Sequence, residues 1–435
     1  MLNKDRAIYF LIRFLTAPFG WIPYSWIRAI GKGAGLIAYY AMRDYRKKTW
    51  SNLALAKDLS LSKKELIRVA KQSFQNLAIN CLEYPKLAAE ADHSQSIRCE
   101  NPETAAALYA QGKGILFFCG HQANWEVLFL DGTTRMRGIA IGKPVKNQFL
   151  YRWVLKIREK KGGKIIAQRN AVKEGLRALR KGIFMGIVGD QGMPGSGYSF
   201  PFLGRRAWTS TAPALLAYKT NSPIIFAETR RVSNGYRIRY FDPIWPDLSK
   251  PIEEEVVRMM DHCLTLLQES IKKAPGEWLW QHNRWKQQTP QVVFKRFRHD
   301  CICVILPKEE AALDALLPHL STLRQIYPLS FLTLLAPSAF QQKISFEADE
   351  IHPYSELRDT LLDDYRFKLL FDFADYQPLR RHYFKRSAFE ILTLSDLRRL
   401  AAPHLPLDKK DDLSEILKRA LCRSGTLWTK ETDAC

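Results

Sequence analysis

Apolar and polar positions alternate in blocks along the chain, and the blocks change in character near residue 114. Before this point amphipathic stretches predominate, with helical spacing at Leu66, Val69, Ala70 and Phe74. After it, short apolar runs of strand length alternate with helical stretches. The predicted strands are Ile115–Cys119, Gly138–Ile141, Ile183–Val188, Ile224–Ala227 and Tyr236–Tyr240, and the predicted helices are Tyr151–Lys161, Ala171–Arg180, Thr211–Tyr218 and Glu253–Lys273. This alternation predicts an α/β domain, to which we assign residues 43–290.

A second strand–helix–strand pattern follows a basic segment without periodicity at Gln287–Arg298, which we interpret as a linker. Its predicted elements are Cys301–Leu306, Ala311–Ile326, Leu329–Leu335 and Lys368–Phe373. We expect residues 300–435 to form a Rossmann-like α/β module. The stretch Val304–Pro337 resembles the first β-α-β unit of heptosyltransferase-type glycosyltransferases, but we expect only half of such a fold, without its active site. An interaction or stabilising role is therefore expected for this module.

The N-terminal 42 residues are the most apolar part of the chain. Three apolar runs are present, none with about 20 uninterrupted residues, and Pro18 and Pro23 interrupt the middle run. Trp21 and Trp26 suit the headgroup level of a membrane. We predict that residues 1–42 form a helical membrane anchor that either spans the bilayer or lies in its interface. An amphipathic helix packed on the body of the protein is the alternative interpretation.

The net charge of +22 implies an anionic partner, which composition alone leaves open between nucleic acid, an acidic lipid surface and an acidic protein. Residues 1–80 contain 14 Lys and Arg against 4 Asp and Glu, a net of +10. Because this excess surrounds the apolar runs, it favours the cytoplasmic face of a membrane. The eight cysteines include no Cys-x-x-Cys pair, so neither a zinc site nor a disulfide framework is indicated.

Candidate acid–base chemistry lies in the segment Gly120–Glu126, where His121 precedes Glu126 by five residues. On a regular helix these side chains would be about 140° apart and would not meet. They can meet if His121 lies on the loop before the first helical turn. Glu126 would then orient the imidazole, and the other ring nitrogen would take a proton from a hydroxyl. A structural histidine at a helix start is the competing interpretation.

Several blocks, taken in order, resemble the bacterial lipid A late acyltransferases, the lauroyl/myristoyl acyltransferase family. They are Gly120–Glu126, Lys143-Pro144 with Asn147, Arg158 before Gly162, Gly189-Asp190-Gln191, Phe202-Leu203-Gly204-Arg205 with Thr209, and Trp280–Lys286. The resemblance covers roughly residues 1–290. Leu203 and Ala212 depart from the family pattern, which commonly has phenylalanine and glycine near these positions, so the acyl pocket could differ.

The resemblance implies a glycerolipid-acyltransferase-like αβα domain in which His121 is the catalytic base and Glu126 its partner. It further implies substrate-binding roles for Lys143, Asn147, Arg158, Asp190, Gln191 and Arg205. The expected donor is acyl-acyl carrier protein, and the expected acceptor is a lipid A precursor at the cytoplasmic face of the inner membrane. Neither a cofactor nor a metal is expected, because a thioester is already activated and needs only proton removal and oxyanion stabilisation.

Other interpretations compete with this one. A different glycolipid or a lysophospholipid is an alternative acceptor. A nucleic-acid-binding protein, or a glycosyltransferase acting through the C-terminal module, belongs to another class, but the sequence lacks nucleic-acid motifs with interleaved aromatic and basic residues. Cys119 falls in the apolar strand pattern and is interpreted as core rather than as a nucleophile. Ser210 and Thr211 are interpreted as helix caps.

Overall fold

The computed structural model describes residues 4–195 and 197–423. They form two compact units. One comprises the residues up to Arg43 together with Ala56–Arg284, and the other comprises Asp44–Leu55 together with the residues from Trp285 onward. Residues 44–55, which the sequence pattern assigned to the α/β domain, therefore group with the C-terminal unit. Residues 424–435 of the predicted C-terminal module lie outside the described residues.

Helices and strands alternate along most of the chain. The helices are α1 (Lys4–Thr16), α2 (Tyr24–Ala41), α3 (Arg43–Leu55), α4 (Lys63–Ala89), α5 (Glu103–Ala110), α6 (Glu126–Arg135), α7 (Gln148–Arg158), α8 (Ala171–Arg180), α9 (Ala212–Thr220), α10 (Ile252–Lys273), α11 (Glu310–Leu316), α12 (Leu320–Ile326), α13 (Pro378–Phe384), α14 (Leu394–Ala401) and α15 (Leu413–Leu421). The strands are β1 (Ile97–Cys99), β2 (Leu116–Cys119), β3 (Gly138–Gly142), β4 (Lys164–Ala167), β5 (Phe184–Val188), β6 (Gly197–Phe202), β7 (Arg205–Ser210), β8 (Ile224–Val232), β9 (Gly235–Tyr240), β10 (Cys301–Ile305), β11 (Phe331–Pro337), β12 (Glu350–Tyr354), β13 (Leu369–Asp372) and β14 (Glu390–Thr393). The predicted α/β class is confirmed.

The first unit is built on a seven-stranded sheet of order β1-β9-β8-β2-β5-β3-β4. Its neighbours are parallel except for the antiparallel pair β8–β9. The central strands β2 and β5 are covered on both faces, which explains why they read as continuous apolar runs in the sequence. On one face Phe117 meets Phe184 edge-on, with ring centroids 5.4 Å apart, and Tyr240 at 4.9 Å. Because β2 and β5 are parallel neighbours, their carboxyl ends lie side by side at the same end of the sheet.

The N-terminal helices α1 and α2 differ in how they are buried. In α1 no residue is buried, whereas α2 packs along α4 through residues such as Ile27 and Tyr39. Close approach requires glycine, since a Cβ at Gly35 would lie 2.3 Å from the Cα of Gln75. Among residues 4–195 and 197–423, no helix has the length and apolar character that crossing a membrane requires.

The C-terminal unit contains a fully parallel five-stranded sheet of order β12-β11-β10-β13-β14. Helix α3 belongs to this unit. The Lys47 ammonium donates to the carbonyl of Ala388, and the Ser51 hydroxyl donates to the carbonyl of Arg366 at 2.7 Å. Trp50 packs edge-on against Tyr365. A helix distant in sequence thus completes this unit.

Two sequence predictions in the C-terminal unit need correction. The predicted helix Ala311–Ile326 is two helices, α11 and α12, because Pro318 follows α11 and lacks the backbone N–H that a continuous helix needs. The predicted linker Gln287–Arg298 is not a free connection. Its Val293 and Phe297 are buried in the core of the unit.

Candidate active site

His121 lies just beyond the carboxyl end of β2, on the loop that leads into α6, as predicted. The loop turns sharply at Ala123, whose φ of 47° is in the left-handed region that residues with a Cβ seldom adopt. Gly120 lies close to Leu267, since a Cβ there would lie 2.6 Å from a methyl carbon of that side chain. The loop therefore fixes the direction in which the imidazole leaves the backbone.

The partner of His121 is Asp190, which follows β5 at the neighbouring strand end. Nδ1 of His121 lies 2.6 Å from Oδ1 of Asp190, and the backbone N–H of His121 donates to Oδ2 at 2.7 Å. The indole N–H of Trp278 donates to the same Oδ2, also at 2.7 Å. Asp190 is 2% exposed. One buried carboxylate thus holds both the ring and the backbone of the histidine.

Burial by itself raises the pKa of Asp190. The adjacent His121 and the hydrogen bonds from His121 and Trp278 lower the pKa by more than burial raises it, so the pKa is held well below its ordinary value. Asp190 is therefore a carboxylate at neutral pH. A carboxylate accepts and does not donate, so Nδ1 of His121 carries the proton in this pair. Nε2 of the neutral ring is then unprotonated and can act as a base.

The structure corrects the predicted pairing of His121 with Glu126. Both oxygens of Glu126 are engaged by Arg158, at 2.5 Å from Nη2 and 2.7 Å from Nε. Tyr84 accepts a longer hydrogen bond from Arg158 at 3.4 Å. Burial lowers the pKa of Arg158, but Glu126 beside it raises the pKa to a net value above the ordinary one. The physical reason for the correction is that the loop turns the imidazole toward β5, whereas Glu126 opens α6 and faces α7.

A cavity of about 520 Å³ lies beside the His121–Asp190 and Glu126–Arg158 pairs. Such a volume is typical of a small-molecule site, roughly 300–1,000 Å³. Its apolar wall is formed by Phe117, Leu128, Phe129, Phe184, Ala227 and Tyr240. The polar residues on the cavity wall include His121, Glu126, Lys143, Arg158 and Gln191. The cavity therefore suits a substrate with an apolar chain and a polar end near His121.

Three of the residues predicted to bind substrate, Asn147, Asp190 and Arg205, are not among those that line the cavity. Asn147 caps α7, where its side-chain oxygen accepts from the N–H of Phe149 at 3.0 Å and its amide donates to the carbonyl of Asp5. Arg205 lies in the β6–β7 hairpin. Asp190 lies behind His121 rather than on the wall. The structure thus brings together His121, Glu126, Lys143, Arg158 and Gln191, with Asp190 in support.

Cys119 and Ser210, the other side chains considered for chemistry, have contacts typical of structural residues. Burial raises the pKa of the Cys119 thiol far above its ordinary value, so the residue stays a thiol although it borders the cavity. The Ser210 hydroxyl accepts from the N–H of Ala212 at the start of α9, whereas Thr211, the N-cap residue of that helix, makes no side-chain capping hydrogen bond. Within residues 4–195 and 197–423, no group of His, Cys, Asp or Glu is arranged to hold a metal ion.

Sequence reasoning missed Trp278 and the buried polar side of α4. Trp278 lies two residues before the block Trp280–Lys286 that resembles the family. Its closeness to this block was the only feature of the sequence that could have indicated a role in the site. The polar residues of α4 fall within an amphipathic pattern and have no motif of their own. Their hydrogen-bond partners are loops more than 40 residues away in sequence, which periodicity cannot identify.

A histidine that is held by a buried carboxylate and lines an apolar cavity on an α/β sheet is an arrangement suited to removing a proton from a chain-bearing substrate. The model of the family described as bacterial lipid A biosynthesis acyltransferase matches residues 2–287, and the chain belongs to that family. It is therefore an acyltransferase, acting with an acyl donor and a lipid A acceptor. No curated protein matches the chain.

Proposed function

We propose that the protein transfers a fatty acyl chain from acyl carrier protein to a hydroxyl of a lipid A precursor, with His121 as general base. The single observation that carries this proposal is the His121–Asp190 pair, with His121 on the wall of the apolar cavity, in a chain of this family. In the same proposal the first unit has the glycerolipid-acyltransferase-like fold, and the C-terminal unit is a Rossmann-like module with an interaction or stabilising role.

The proposed reaction needs one proton relay. Nε2 of His121 takes the proton of the acceptor hydroxyl while the hydroxyl oxygen attacks the thioester carbonyl carbon. The carbon–sulfur bond then breaks, the acyl group remains on the acceptor as an ester, and the leaving thiolate takes the proton from His121. Asp190 stabilises the imidazolium that forms between these steps, because it is an anion in contact with Nδ1.

Arg158 binds the polar part of the acceptor in this proposal. Its Nε and Nη2 are held by Glu126, and among the described residues no hydrogen bond involves Nη1. A guanidinium that remains charged and fixed in direction suits phosphate or an oxyanion. Lys143 and Gln191 lie on the same cavity wall and complete the polar surroundings of the substrate. Glu126 thus acts by orienting Arg158.

The donor is assigned to acyl carrier protein on the family resemblance, and the charge of the chain is consistent with that donor. That carrier is strongly acidic, and a chain with a net charge of +22 attracts it over a long range. Coenzyme A is also anionic, so the two donors need a direct comparison. The attraction is screened over about 10 Å at roughly 0.1 M salt, and use of the carrier protein should therefore fall as salt rises.

Membrane contact is assigned to the exposed side of α1 and the turn after it, at the cytoplasmic face of the inner membrane. Phe14 and Trp21 are each 79% exposed, and Phe10, Leu11 and Leu15 also face outward. Apolar side chains beside an excess of basic residues suit an interface with anionic lipid. Vesicle flotation tests this surface with Phe14→Ser against Leu407→Ser, a residue of the C-terminal unit that is 81% exposed. Equal binding of both variants would contradict the assignment.

The experiment that tests the function is acyl transfer by membranes containing the expressed protein. One acyl chain is supplied on acyl carrier protein or on coenzyme A, and the acceptors are a lipid A precursor, a phosphatidylinositol mannoside and a lysophospholipid. The expected product, identified by mass spectrometry, is acylated lipid A precursor from the carrier protein. Transfer only to another acceptor would replace the proposed substrate, and absence of transfer to any acceptor would contradict the proposal.

A further inference from the structure

We propose that one side of α4 is a positioning element for the His121–Asp190 pair; this inference rests on the proposed function. The polar face of α4 consists of Ser73, Asn76, Asn80 and Glu83. These residues are three or four positions apart and therefore lie along one side of the helix. None is more than 5% exposed. Buried polar side chains need hydrogen-bond partners, and here the partners are the two loops that form the site.

The first loop is the one that carries His121. The side-chain amides of Asn76 and Asn80 both donate to the carbonyl of Ala123, at 3.2 and 2.5 Å. Ala123 is the residue with left-handed φ, a conformation that is costly for a residue with a Cβ. Two donors on one carbonyl stabilise this turn. Because Ala123 lies two residues after His121, the turn determines where the imidazole points.

The orientation of both amides is fixed from the other side by Arg231. Its guanidinium donates to Oδ1 of Asn76 at 2.5 Å and to Oδ1 of Asn80 at 2.7 Å. Since a guanidinium can only donate, each amide must present its oxygen to Arg231 and its NH₂ group to the carbonyl of Ala123. Arg231 thereby makes both asparagines donors to the catalytic loop rather than acceptors.

The second loop is the one that carries Trp278, the donor to Asp190. Ser73 donates to the carbonyl of Trp278 at 2.6 Å, and Asn76 also donates to the carbonyl of Glu277 at 2.8 Å. The two loops are joined directly, since the N–H of Ala123 donates to that same Glu277 carbonyl at 2.9 Å. A single helix face therefore holds the base and the indole that supports its partner in a fixed relation.

Glu83 extends the polar face to the start of α6. It is fully buried and accepts from the amide of Asn124 at 3.1 Å, from Arg28 at 3.4 Å and from the hydroxyl of Tyr236. The oxygen of Asn124 in turn accepts from the N–H of Glu126 at 3.3 Å. The helix that carries Glu126 is thus tied to the same face of α4 as the histidine loop.

The test is Asn80→Ala, with Gln72→Ala as the matched control, since Gln72 is an amide on the same helix that is exposed. We expect kcat to fall about 10- to 100-fold, because misplacement of a catalytic group costs this much. KM for donor and acceptor should stay within about two-fold, since the cavity wall is untouched. Asn80→Ala/Ala123→Gly should recover part of kcat, because glycine adopts the left-handed turn without a Cβ penalty. Gln72→Ala should match the wild type.

Three results would overturn the inference: wild-type kcat in Asn80→Ala, a loss carried by KM, or no recovery in the double variant. Asn76→Ala is measured in parallel and decides the question if Asn80→Ala does not fold. A fall of about three-fold or more in its kcat supports the positioning role, and an unchanged kcat rejects it. Inactive wild-type protein would instead contradict the proposed function, so the two failures are distinguishable.

Discussion

Asp190 and Asp372 occupy comparable positions in the two units of the chain, each at the carboxyl end of a parallel strand. Both are buried, at 2% and 4% exposure. Their ionisation differs. His121 and Trp278 hold the pKa of Asp190 low despite burial, whereas burial raises the pKa of Asp372 to about 6. Among the described residues, Oδ1 of Asp372 has no hydrogen-bond partner.

This difference shows that position at a strand end does not by itself set the ionisation of a carboxylate. Burial penalises the charge of both residues. Only Asp190 has two side-chain donors, one of which can itself become a cation, and only Asp190 supports a residue on the wall of the apolar cavity. The C-terminal sheet shares parallel strands with the first unit but lacks these contacts at Asp372. The chemistry therefore comes from the partners and not from the sheet.

The largest expected effect comes from removing the charge of Asp190. Asp190→Asn keeps the shape of the side chain but no longer fixes the ring tautomer or stabilises the imidazolium. We expect kcat to fall about 1,000- to 10,000-fold in the acyl-transfer assay. Thermal unfolding of the same preparation serves as the control. A folded Asp190→Asn protein with near wild-type kcat would remove the distinction between the two carboxylates.

A smaller effect is expected from the Glu126–Arg158 pair. Because Glu126 acts on Arg158 and not on His121, Glu126→Gln should reduce kcat/KM about 10- to 100-fold, mainly through the acceptor. Arg158→Lys should behave similarly, since an ammonium cannot reproduce the two-point contact with Glu126. Losses as large as that of Asp190→Asn, entirely in kcat, would favour a direct role of Glu126 beside His121.

Trp278→Phe should make Asp190 more like Asp372 by removing one donor. A hydrogen bond to a charged group contributes about 1.5–3 kcal/mol, and we expect part of this energy to stabilise the transition state. We predict a loss of about 10-fold in kcat with unchanged KM. Phe202→Leu is a suitable control, because Phe202 packs against Trp278 without contacting Asp190 through a hydrogen bond. Equal losses in both variants would point to packing rather than donation.

Asp372→Asn should leave acyl transfer unchanged and alter only stability. The folded-state pKa of about 6 lies above the ordinary value of 3.8. The stability gained from protonation is therefore complete below about pH 4 and is lost as pH rises through about 6. Asparagine does not titrate, so the variant does not lose stability as pH rises. Between pH 4 and pH 8 its free energy of unfolding should therefore rise above that of the wild type by up to about 3 kcal/mol. A difference that is independent of pH would contradict this account of Asp372.

Much of the fold could be predicted from the pattern of apolar positions. Strands β2 and β5 were recognisable because buried strands form short continuous apolar runs, and helix α8 because an amphipathic helix has a strong period. Strand β4 and the β6–β7 hairpin were missed, since their residues are largely polar or half-exposed. The grouping of α3 with the C-terminal unit depends on contacts with residues more than 300 positions away, such as that of Lys47 with Ala388.

The sequence identified several residues of the candidate site but not their pairings. His121, Glu126, Arg158 and Asp190 were all identified, yet a spacing of five residues favoured the local partner Glu126. Asp190 is 69 residues from His121 in sequence, and they meet only because β2 and β5 are adjacent strands. Strand order is a tertiary property that local spacing does not contain. Trp278 was missed for the same reason.

The most direct measurement is the turnover of purified His121→Ala with acyl-acyl carrier protein and a lipid A precursor. If His121 is the base, kcat should fall at least about 1,000-fold, while thermal unfolding and KM stay close to those of wild type. The alanine side chain leaves the carboxylate of Asp190 without its ring partner, so the unfolding control is required. Near wild-type turnover of folded His121→Ala would contradict the mechanism, whichever acceptor is used.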